Sequence, residues 1–180
     1  MVFEYVIMGM VLHEASTGYD IKKNIEAGIG NFCKASHGSL YPSLKKLTDK
    51  GYLTMTEQKQ GKRLKKYYLT TESGKLAFLE WLSSPFDLDT HMIQIFFLGE
   101  LPKEVRNKWL QECEFYLQQM LRQLQVIEKQ LPAEISNDRD YFQLSTFYFS
   151  CQNLQNTIKW IGYIKEQKPL KAREHQCQNY

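Results

Sequence analysis

Residues 36–74 read SHGSLYPSLKKLTDKGYLTMTEQKQGKRLKKYYLTTESG, and this stretch decides the fold. Leucines recur at helical spacing in its first part, which predicts a short amphipathic helix that ends at Gly51. Two strand-like runs follow, Tyr52–Gln58 and Leu64–Thr70, and the loop between them is KQGKR. A helix followed by a β-hairpin with a cationic tip is the order of elements in a winged helix-turn-helix. We therefore expect one helix to enter a DNA groove and a charged loop to lie beside the DNA backbone.

The predicted helix has a polar side that suits close approach to a polyanion. Its three leucines must face the core, and at about 100° per residue they define the opposite side. That side contains a glycine, a hydroxyl, a phenol, two lysines and a single acid: Gly38, Ser39, Tyr41, Pro42, Lys45, Lys46 and Asp49. The start of the helix is left open between Ser36 and Ser39, because proline is comfortable only in a first turn.

Positive charge is concentrated in the first half of the chain. The formal net charge of the whole sequence is +3, whereas residues 1–83 contain 12 Lys and Arg against 8 Asp and Glu. Five cations and no acid fall between Lys59 and Lys66, and they include Lys62, Arg63 and Lys65. A charge run by itself is usually solvated surface. At the tip of a predicted wing it indicates contact with DNA phosphates.

Helices are expected on both sides of the hairpin. The first covers Val2–Leu12, and the second starts at Thr17, where Asp20 completes a capping-box-like start, and ends at Gly28 or Gly30. A helix after the hairpin, from a cap at Thr70 or Thr71 to about Ser83, is expected to bury three leucines: Leu76, Leu79 and Leu82.

The fold class predicted is mainly α with a small β-hairpin wing. Ser83-Ser84-Pro85 is the natural domain boundary. We expect a winged helix-turn-helix DNA-binding domain over residues 1–83, a helical dimerisation domain over residues 84–167 and a polar tail over residues 168–180.

A short helix over about residues 90–98 and two long helices, from Pro102 to about Leu131 and from Asp138 to about Lys165, are predicted in the second domain. The first long helix carries apolar residues in steps of four and three, which is coiled-coil-like spacing. This face is too wide for the final helix alone to cover. We therefore expect a homodimer in contact through Trp109, Tyr116, Met120, Leu124 and Ile127. Trp109 and Trp160 are candidate walls of an effector pocket, since aromatic side chains usually line such sites; the presence and the absence of a pocket are equally open at this point.

An enzyme is not expected, because the sequence contains no nucleophile elbow, phosphate-binding loop or zinc-protease pattern. The four histidines share no ligand spacing and the four cysteines form no C-x-x-C pair, so no metal site and no cofactor are predicted. Widely spaced free cysteines fit a reducing, cytoplasmic setting. The apolar run near the start has Glu4 where a signal peptide is basic, and it is too short to span a membrane.

Several segments together resemble the PadR family of bacterial transcriptional regulators: Ile7–Leu12, Thr17–Lys23, Ser39–Leu47, Gly51–Leu53, Tyr68–Thr70 and Gly74. The resemblance is dense over residues 1–82, and it rests above all on the Tyr-Pro pair of the third helix and the Gly-Tyr pair that opens the second. Residues 85–164 more loosely resemble the helical domain of the larger members. Carried onto this chain, the resemblance implies DNA-contacting roles for Tyr41, Lys45, Lys62, Arg63 and Lys65. His37-Gly38 departs from the family pattern, so the base preference cannot be transferred.

The resemblance implies a homodimer that binds a palindromic operator in double-stranded DNA, in many members as a repressor released by a small aromatic or drug-like compound. We expect this chain to be such a cytoplasmic regulator, with His37, Ser39 and Lys46 as further DNA contacts. Two alternatives stay open. One is a DNA-binding regulator without a small-molecule effector. The other is a winged-helix protein-interaction module that does not bind DNA, against which the basic wing argues.

Overall fold

The structure is a computed structural model that describes residues 2–61, 63–131 and 137–168. The chain divides into two compact units, residues 1–106 and residues 107–180. Each unit is described by itself below.

The first unit contains five helices and a small sheet among its described residues. In chain order the elements are α1 (Val2–Met10), β1 (Ser16–Thr17), α2 (Gly18–Ile29), α3 (His37–Asp49), β2 (Leu53–Gln60), β3 (Arg63–Thr70), α4 (Glu72–Leu82) and α5 (His91–Phe97), followed by a single 3-10 turn over Leu98–Glu100. The predicted order of helix and hairpin is confirmed, and the fold is mainly α with a β wing. The short strand β1 has no counterpart among the predicted elements.

The start of α3, which the sequence left open, lies at Ser36. Ser36 is the N-cap and His37 is the first helical residue, so Pro42 lies inside the helix rather than in its first turn. Proline has no N–H, so Pro42 donates no hydrogen bond to the carbonyl of Gly38. Leu40, Leu44 and Leu47 are buried, as their spacing predicts.

The sheet has the strand order β1-β3-β2, with antiparallel pairing throughout. In the hairpin Gln60 pairs with Arg63. The two strands are therefore longer than predicted, and two residues of the sequence separate them instead of the five predicted. Gly61 has a φ of 61°. Two-residue hairpin turns need a positive φ at their first central position, which glycine adopts without strain.

The core of the first unit is formed by the inner faces of its helices. Its fully buried side chains include Ile7, Ile21, Leu40 and Phe78. The prediction for α4 was wrong in part. Its buried positions are Gly74, Phe78 and Leu82, four residues apart, which leaves Leu79 half-buried and turns Leu76 toward solvent.

Helix α5 belongs to the first unit. The Phe97 ring meets Phe78 edge-on at a centroid distance of 5.3 Å. It also packs so closely on α1 that a Cβ at Gly9 would lie 2.6 Å from the ring. The structural division therefore falls after Arg106 rather than at Ser83. The functional assignment of residues 1–83 and 84–167 stays a prediction, and the predicted tail, apart from Lys168, lies outside the described residues.

The second unit consists of most of α6 (Lys103–Glu128) and all of α7 (Asp138–Lys165). Helix α6 ends three residues before the predicted end, and Gln130 and Leu131 continue it as turns. Asn137, rather than Asp138, caps α7, since its side chain accepts a hydrogen bond from the Asp140 N–H at 3.0 Å. The predicted loop at residues 132–136 lies outside the described residues.

Gly74 is expected to be intolerant of any side chain. A Cβ there would lie 2.2 Å from the carbonyl oxygen of Tyr52, whereas a Cβ at Gly99 would meet nothing within 4 Å. Gly74→Ala should lower the free energy of unfolding by about 2 kcal/mol, because backbone atoms must shift to relieve the clash. Gly99→Ala should change it by less than about 0.5 kcal/mol. Urea denaturation followed by circular dichroism compares the two, and equal stabilities would contradict the packing described.

Candidate nucleic-acid interface

The first turn of α3 is held by two serines that satisfy each other's backbone. The Ser36 hydroxyl accepts from the Ser39 N–H at 3.1 Å, and the Ser39 hydroxyl accepts from the Ser36 N–H at 3.2 Å. This reciprocal capping box satisfies two donors that a helix start otherwise leaves unpaired. Ser39, predicted as a DNA contact, thus has its hydroxyl engaged in fixing the start of α3.

Three predicted DNA-contacting side chains lie together on the exposed side of α3. His37, Tyr41 and Lys45 are four residues apart, and all three are exposed. The His37 and Tyr41 rings stack with a centroid distance of 5.9 Å and an interplanar angle of 8°. The exposed side of α3 therefore offers an imidazole, a phenol and an ammonium group in a row.

Lys46 differs from its neighbour Lys45, because it is engaged within the protein. Its ammonium group forms an ion pair with the Glu4 carboxylate of α1, which is mostly buried. An ammonium group that balances an internal carboxylate contributes less net charge to a polyanion surface. The structure thus favours Lys45 over Lys46 as a DNA contact.

The basic side chains of strand β3 lie on both faces of the hairpin. Successive side chains of a strand point to opposite faces, so Arg63 and Lys65 share one face while Lys66 lies on the other. The register places Glu57 opposite Lys66, and their charged groups are 3.7 Å apart. Arg63 and Lys65 are exposed. Lys62, which was also predicted to contact DNA, lies outside the described residues.

The base of the wing is fastened to α1, α3 and α4 by two threonines. The Thr70 hydroxyl donates to the Met8 carbonyl at 2.7 Å, and the Thr70 N–H donates to the Val11 carbonyl at 2.9 Å. The Thr71 hydroxyl donates to the Gly51 carbonyl, just beyond α3, at 2.7 Å. The same hydroxyl accepts from the Gly74 N–H and so caps α4. We call Thr70 and Thr71 the threonine junction.

A surface cavity of about 540 Å³ lies between the start of α2, the ring of Tyr41 and strand β3. It is lined by Thr17, Gly18, Tyr19, Asp20, Tyr41, Lys65, Lys66 and Tyr68. Of these, only Tyr41 and Lys65 were predicted as DNA contacts. The sequence showed Thr17 and Asp20 as a helix start, which is confirmed, but no periodicity could bring them together with Tyr68.

Tyr68 and Gly18 are the buried residues that line this cavity. Burial, and secondarily the nearby Tyr41, raises the pKa of the Tyr68 phenol. The hydroxyl of Tyr68 therefore stays protonated at neutral pH and can donate a hydrogen bond.

In the second unit, the stripe predicted for dimerisation does not form a single exposed face. Trp109 is only 3% exposed in one chain, and its role in a dimer contact stays a prediction. Tyr116 and Ile127 are exposed, whereas Met120 and Leu124 are half-buried. Trp160, the other candidate wall of an effector pocket, is half-buried. The buried residues of α6 are Trp109, Leu110, Cys113 and Leu117.

The cysteines are poorly suited to react. Burial raises the pKa of the Cys113 thiol to about 12, with a smaller contribution from Glu114, and burial raises the pKa of Cys33 as well. Within residues 2–61, 63–131 and 137–168, no three His, Cys, Asp or Glu side chains are placed to hold a metal ion. Over the same residues, no helix is both long and apolar enough to cross a membrane.

An exposed polar helix face beside a cationic hairpin, with both held by one junction, defines a winged-helix DNA-binding protein. Residues 7–80 match the model of the transcriptional regulator PadR-like family. The negative transcriptional regulator PadR of Bacillus subtilis is 28% identical over 173 residues, which are 91% of this chain and 95% of that protein. A probable transcriptional regulator of Mycobacterium tuberculosis is 27% identical over 86 residues, about 47% of this chain and 46% of that protein.

Solved structures of Bacillus subtilis PadR are also similar to this chain. The complex with operator DNA is 27% identical, covers 93% of this chain and 99% of that one, and has a TM-score of 0.47. The complex with p-coumaric acid is 27% identical, covers 93% and 98%, and has a TM-score of 0.42. Scores below 0.5 do not establish a shared arrangement of the whole chain. The match to the PadR-like family model covers residues 7–80, and both relatives in sequence are named as transcriptional regulators, so the chain is similar to this family of regulators.

Lys45 and Lys46 should respond differently to loss of charge. Lys45→Gln should weaken DNA binding several-fold and leave stability unchanged, because the exposed Lys45 ammonium group is positioned to contact DNA. Lys46→Gln should instead lower the free energy of unfolding by about 0.5–1 kcal/mol, since Glu4 loses its ion pair. Fluorescence anisotropy with duplex DNA and urea denaturation measure the two effects. A larger loss of DNA affinity from Lys46→Gln than from Lys45→Gln would contradict this assignment.

Proposed function

We propose that the protein is a homodimeric repressor that binds a palindromic operator, with α3 in the major groove and the wing against the backbone, and that a small aromatic compound releases it. The observation that carries the DNA-binding geometry is the exposed row of His37, Tyr41 and Lys45 on α3, in the same unit as a hairpin with exposed Arg63 and Lys65. Side chains on a helix that fits the major groove read base edges, whereas cations on a wing neutralise phosphates.

A second copy of the chain is the partner that the second unit favours. Of the residues in α7, only Leu154 and Ile161 are buried. Aromatic side chains seven residues apart stay exposed along the helix, namely Tyr141 and Tyr148, and Phe142 and Phe149. A seven-residue repeat is the spacing at which helices pack along a shared seam. At roughly 150–250 Å² per aromatic side chain, these four could supply much of the roughly 800 Å² per partner of a standard interface.

A dimer also explains how α3 could recognise a palindrome. Two recognition helices must lie about 34 Å apart, one turn of DNA, to enter successive major grooves on one side of the duplex. A ligand that changes how the long helices pack would alter this separation without touching DNA. Such a ligand shifts the equilibrium tenfold away from the dimer that fits DNA only if it binds the dimer with altered helix separation about 1.4 kcal/mol more tightly.

The repressor and effector parts of the proposal are supported by the relatives. The Bacillus subtilis relative is named as a negative regulator, and its structures include complexes with operator DNA and with p-coumaric acid. In this chain the half-buried Trp160 is the better candidate for a pocket wall, because Trp109 is almost entirely enclosed in one chain.

Charge placed on the exposed aromatic seam of α7 should separate the dimer. Phe142→Glu with Phe149→Glu should give a species of 21.3 kDa in sedimentation, where the wild type gives twice that mass. Operator affinity should fall by about a hundredfold, because two linked half-sites then bind independently. Leu76→Glu, at an equally exposed apolar position in the first unit, is the matched control and should remain dimeric. A wild-type monomer at micromolar concentration would rule out the dimer.

The effector part is tested by adding compounds to the operator complex. A panel of phenolic acids, planar cationic drugs and flavins is titrated into the Trp81→Phe variant, which removes the tryptophan of the first unit from the emission signal. We expect a compound that quenches the remaining tryptophan emission and releases DNA in parallel, and Trp160→Phe should weaken both effects. If every quenching compound leaves operator affinity unchanged, the protein is a regulator without such an effector.

A further inference from the structure

One side-chain contact joins two parts of the first unit that are far apart in the sequence. Nε2 of His13 lies 2.8 Å from Oε2 of Glu100, 87 residues further along the chain. Since a carboxylate only accepts hydrogen bonds, the imidazole is the donor. The His13 side chain is 70% exposed and the Glu100 side chain is 32% exposed. Exposed pairs of this kind add little to stability, so the elements that this pair connects matter more than its strength.

His13 lies in a segment that is fastened to the wing at both ends. Before it, the carbonyl of Val11 accepts a hydrogen bond from the Thr70 N–H at 2.9 Å. After it, the two residues of β1 pair with strand β3. Because these hydrogen bonds leave the segment little independent freedom, a movement of His13 is transmitted to the base of the wing.

Glu100 lies just before the long helix α6. It ends the 3-10 turn, which is anchored by the buried side chains of Leu98 and Leu101. Two residues separate Glu100 from Lys103, the first residue of α6. With 26 residues, α6 is about 39 Å long, so each degree of tilt at its start moves its far end by about 0.7 Å. A contact at Glu100 therefore acts at the point where a small movement of α6 has the largest effect.

The other ion pairs in the described part of the first unit connect different elements. They lie within α2, within the hairpin, and between α3 and α1: Lys22–Glu26, Lys66–Glu57 and Lys46–Glu4. These three pairs do not include the residues that precede α6. Among the ion pairs described in this unit, His13–Glu100 is therefore the one that joins the segment beside the wing to the start of the long helix.

We propose that His13 and Glu100 are positioning residues, whose contact couples the wing to the first turn of α6. The inference rests on the homodimeric, operator-binding function proposed above, and it adds a determinant of half-site spacing. In a dimer built on the second unit, α6 connects each wing and α3 to the shared interface. A fixed angle between the wing and α6 then limits the separations that the two copies of α3 can reach. A loose angle lets the dimer bind half-sites at several spacings.

Removal of either side chain is the central test. His13→Ala and Glu100→Ala should each weaken the preference for an operator selected from random sequences over the same operator with one base pair added between its half-sites. The preference should fall by about fivefold at most, which is the limit set by the strength of an exposed pair. The double variant should lose no more than either single variant, because both remove the same contact. Fluorescence anisotropy with the two duplexes measures the preference.

Two controls separate this contact from general effects. His13→Gln should keep the wild-type preference, since an amide nitrogen can replace Nε2 as the donor to Glu100. Glu112→Ala removes a carboxylate from the exposed pair Lys108–Glu112 inside α6, and it should leave the preference unchanged. Affinity of His13→Ala for random duplex should equal that of the wild type, because His13 is not proposed to contact DNA. If Glu100→Ala does not fold, the comparison of His13→Ala with His13→Gln still decides.

Three outcomes would overturn the proposal and leave the proposed function intact. The first is an unchanged spacing preference in both His13→Ala and Glu100→Ala. The second is losses that add in the double variant, because each side chain would then act through other partners. The third is a loss in His13→Gln as large as in His13→Ala, which would assign the effect to the shape of the turn. A wild type that is monomeric, or that binds no operator, would remove this coupling and the proposed function together.

Discussion

The threonine junction is the constraint on which the rest of the DNA-binding unit depends. Thr70 ends the wing and holds α1 through two hydrogen bonds, and Thr71 holds the turn after α3 while capping α4. The Thr70 hydroxyl pairs the Met8 carbonyl near the end of α1, and the Thr71 hydroxyl shares the Gly51 carbonyl, just beyond α3, with the Ser73 hydroxyl. Because the same two residues serve four elements, the wing cannot tilt against α3 without breaking several hydrogen bonds. Gly74 lets the first turn of α4 pack directly against the backbone of Tyr52, since any side chain at position 74 would clash with the Tyr52 carbonyl.

A rigid relation between wing and helix has a direct functional consequence. Base reading requires that α3 enters the groove at one depth, and phosphate contacts from separate elements determine that depth. The basic residues of the unit are accordingly not equivalent. Lys45 is exposed and unpaired with any acid among the described residues, Lys46 forms an ion pair with Glu4, and Lys66 lies near Glu57 and lines the cavity at the start of α2. Counting lysines would overstate the number of phosphate contacts and hence the salt dependence of binding.

Local features of the fold could be predicted from the sequence, because their causes lie within a few residues. The Thr17 cap, the leucine face of α3 and the hairpin follow from short-range spacing and turn chemistry. Features that depend on distant partners could not be predicted. The ammonium group of Lys46 is paired with Glu4 of α1, and Trp109 is buried within one chain. In α4, Phe78 takes the inward position while Leu76 turns outward. The cavity at Tyr68 joins residues about fifty positions apart in the sequence, so no periodicity could indicate it.

Amide hydrogen exchange of the whole chain, with and without an operator duplex selected from random sequences, tests the central claim most directly. The account predicts slower exchange in the first two turns of α3 and at the wing, because DNA excludes water from these surfaces together. Helices α5 and α7 should exchange at the same rate in both states. Protection confined to α5 or α7, with no change over residues 37–45, would contradict the claim that the exposed face of α3 and the wing form the DNA-binding surface.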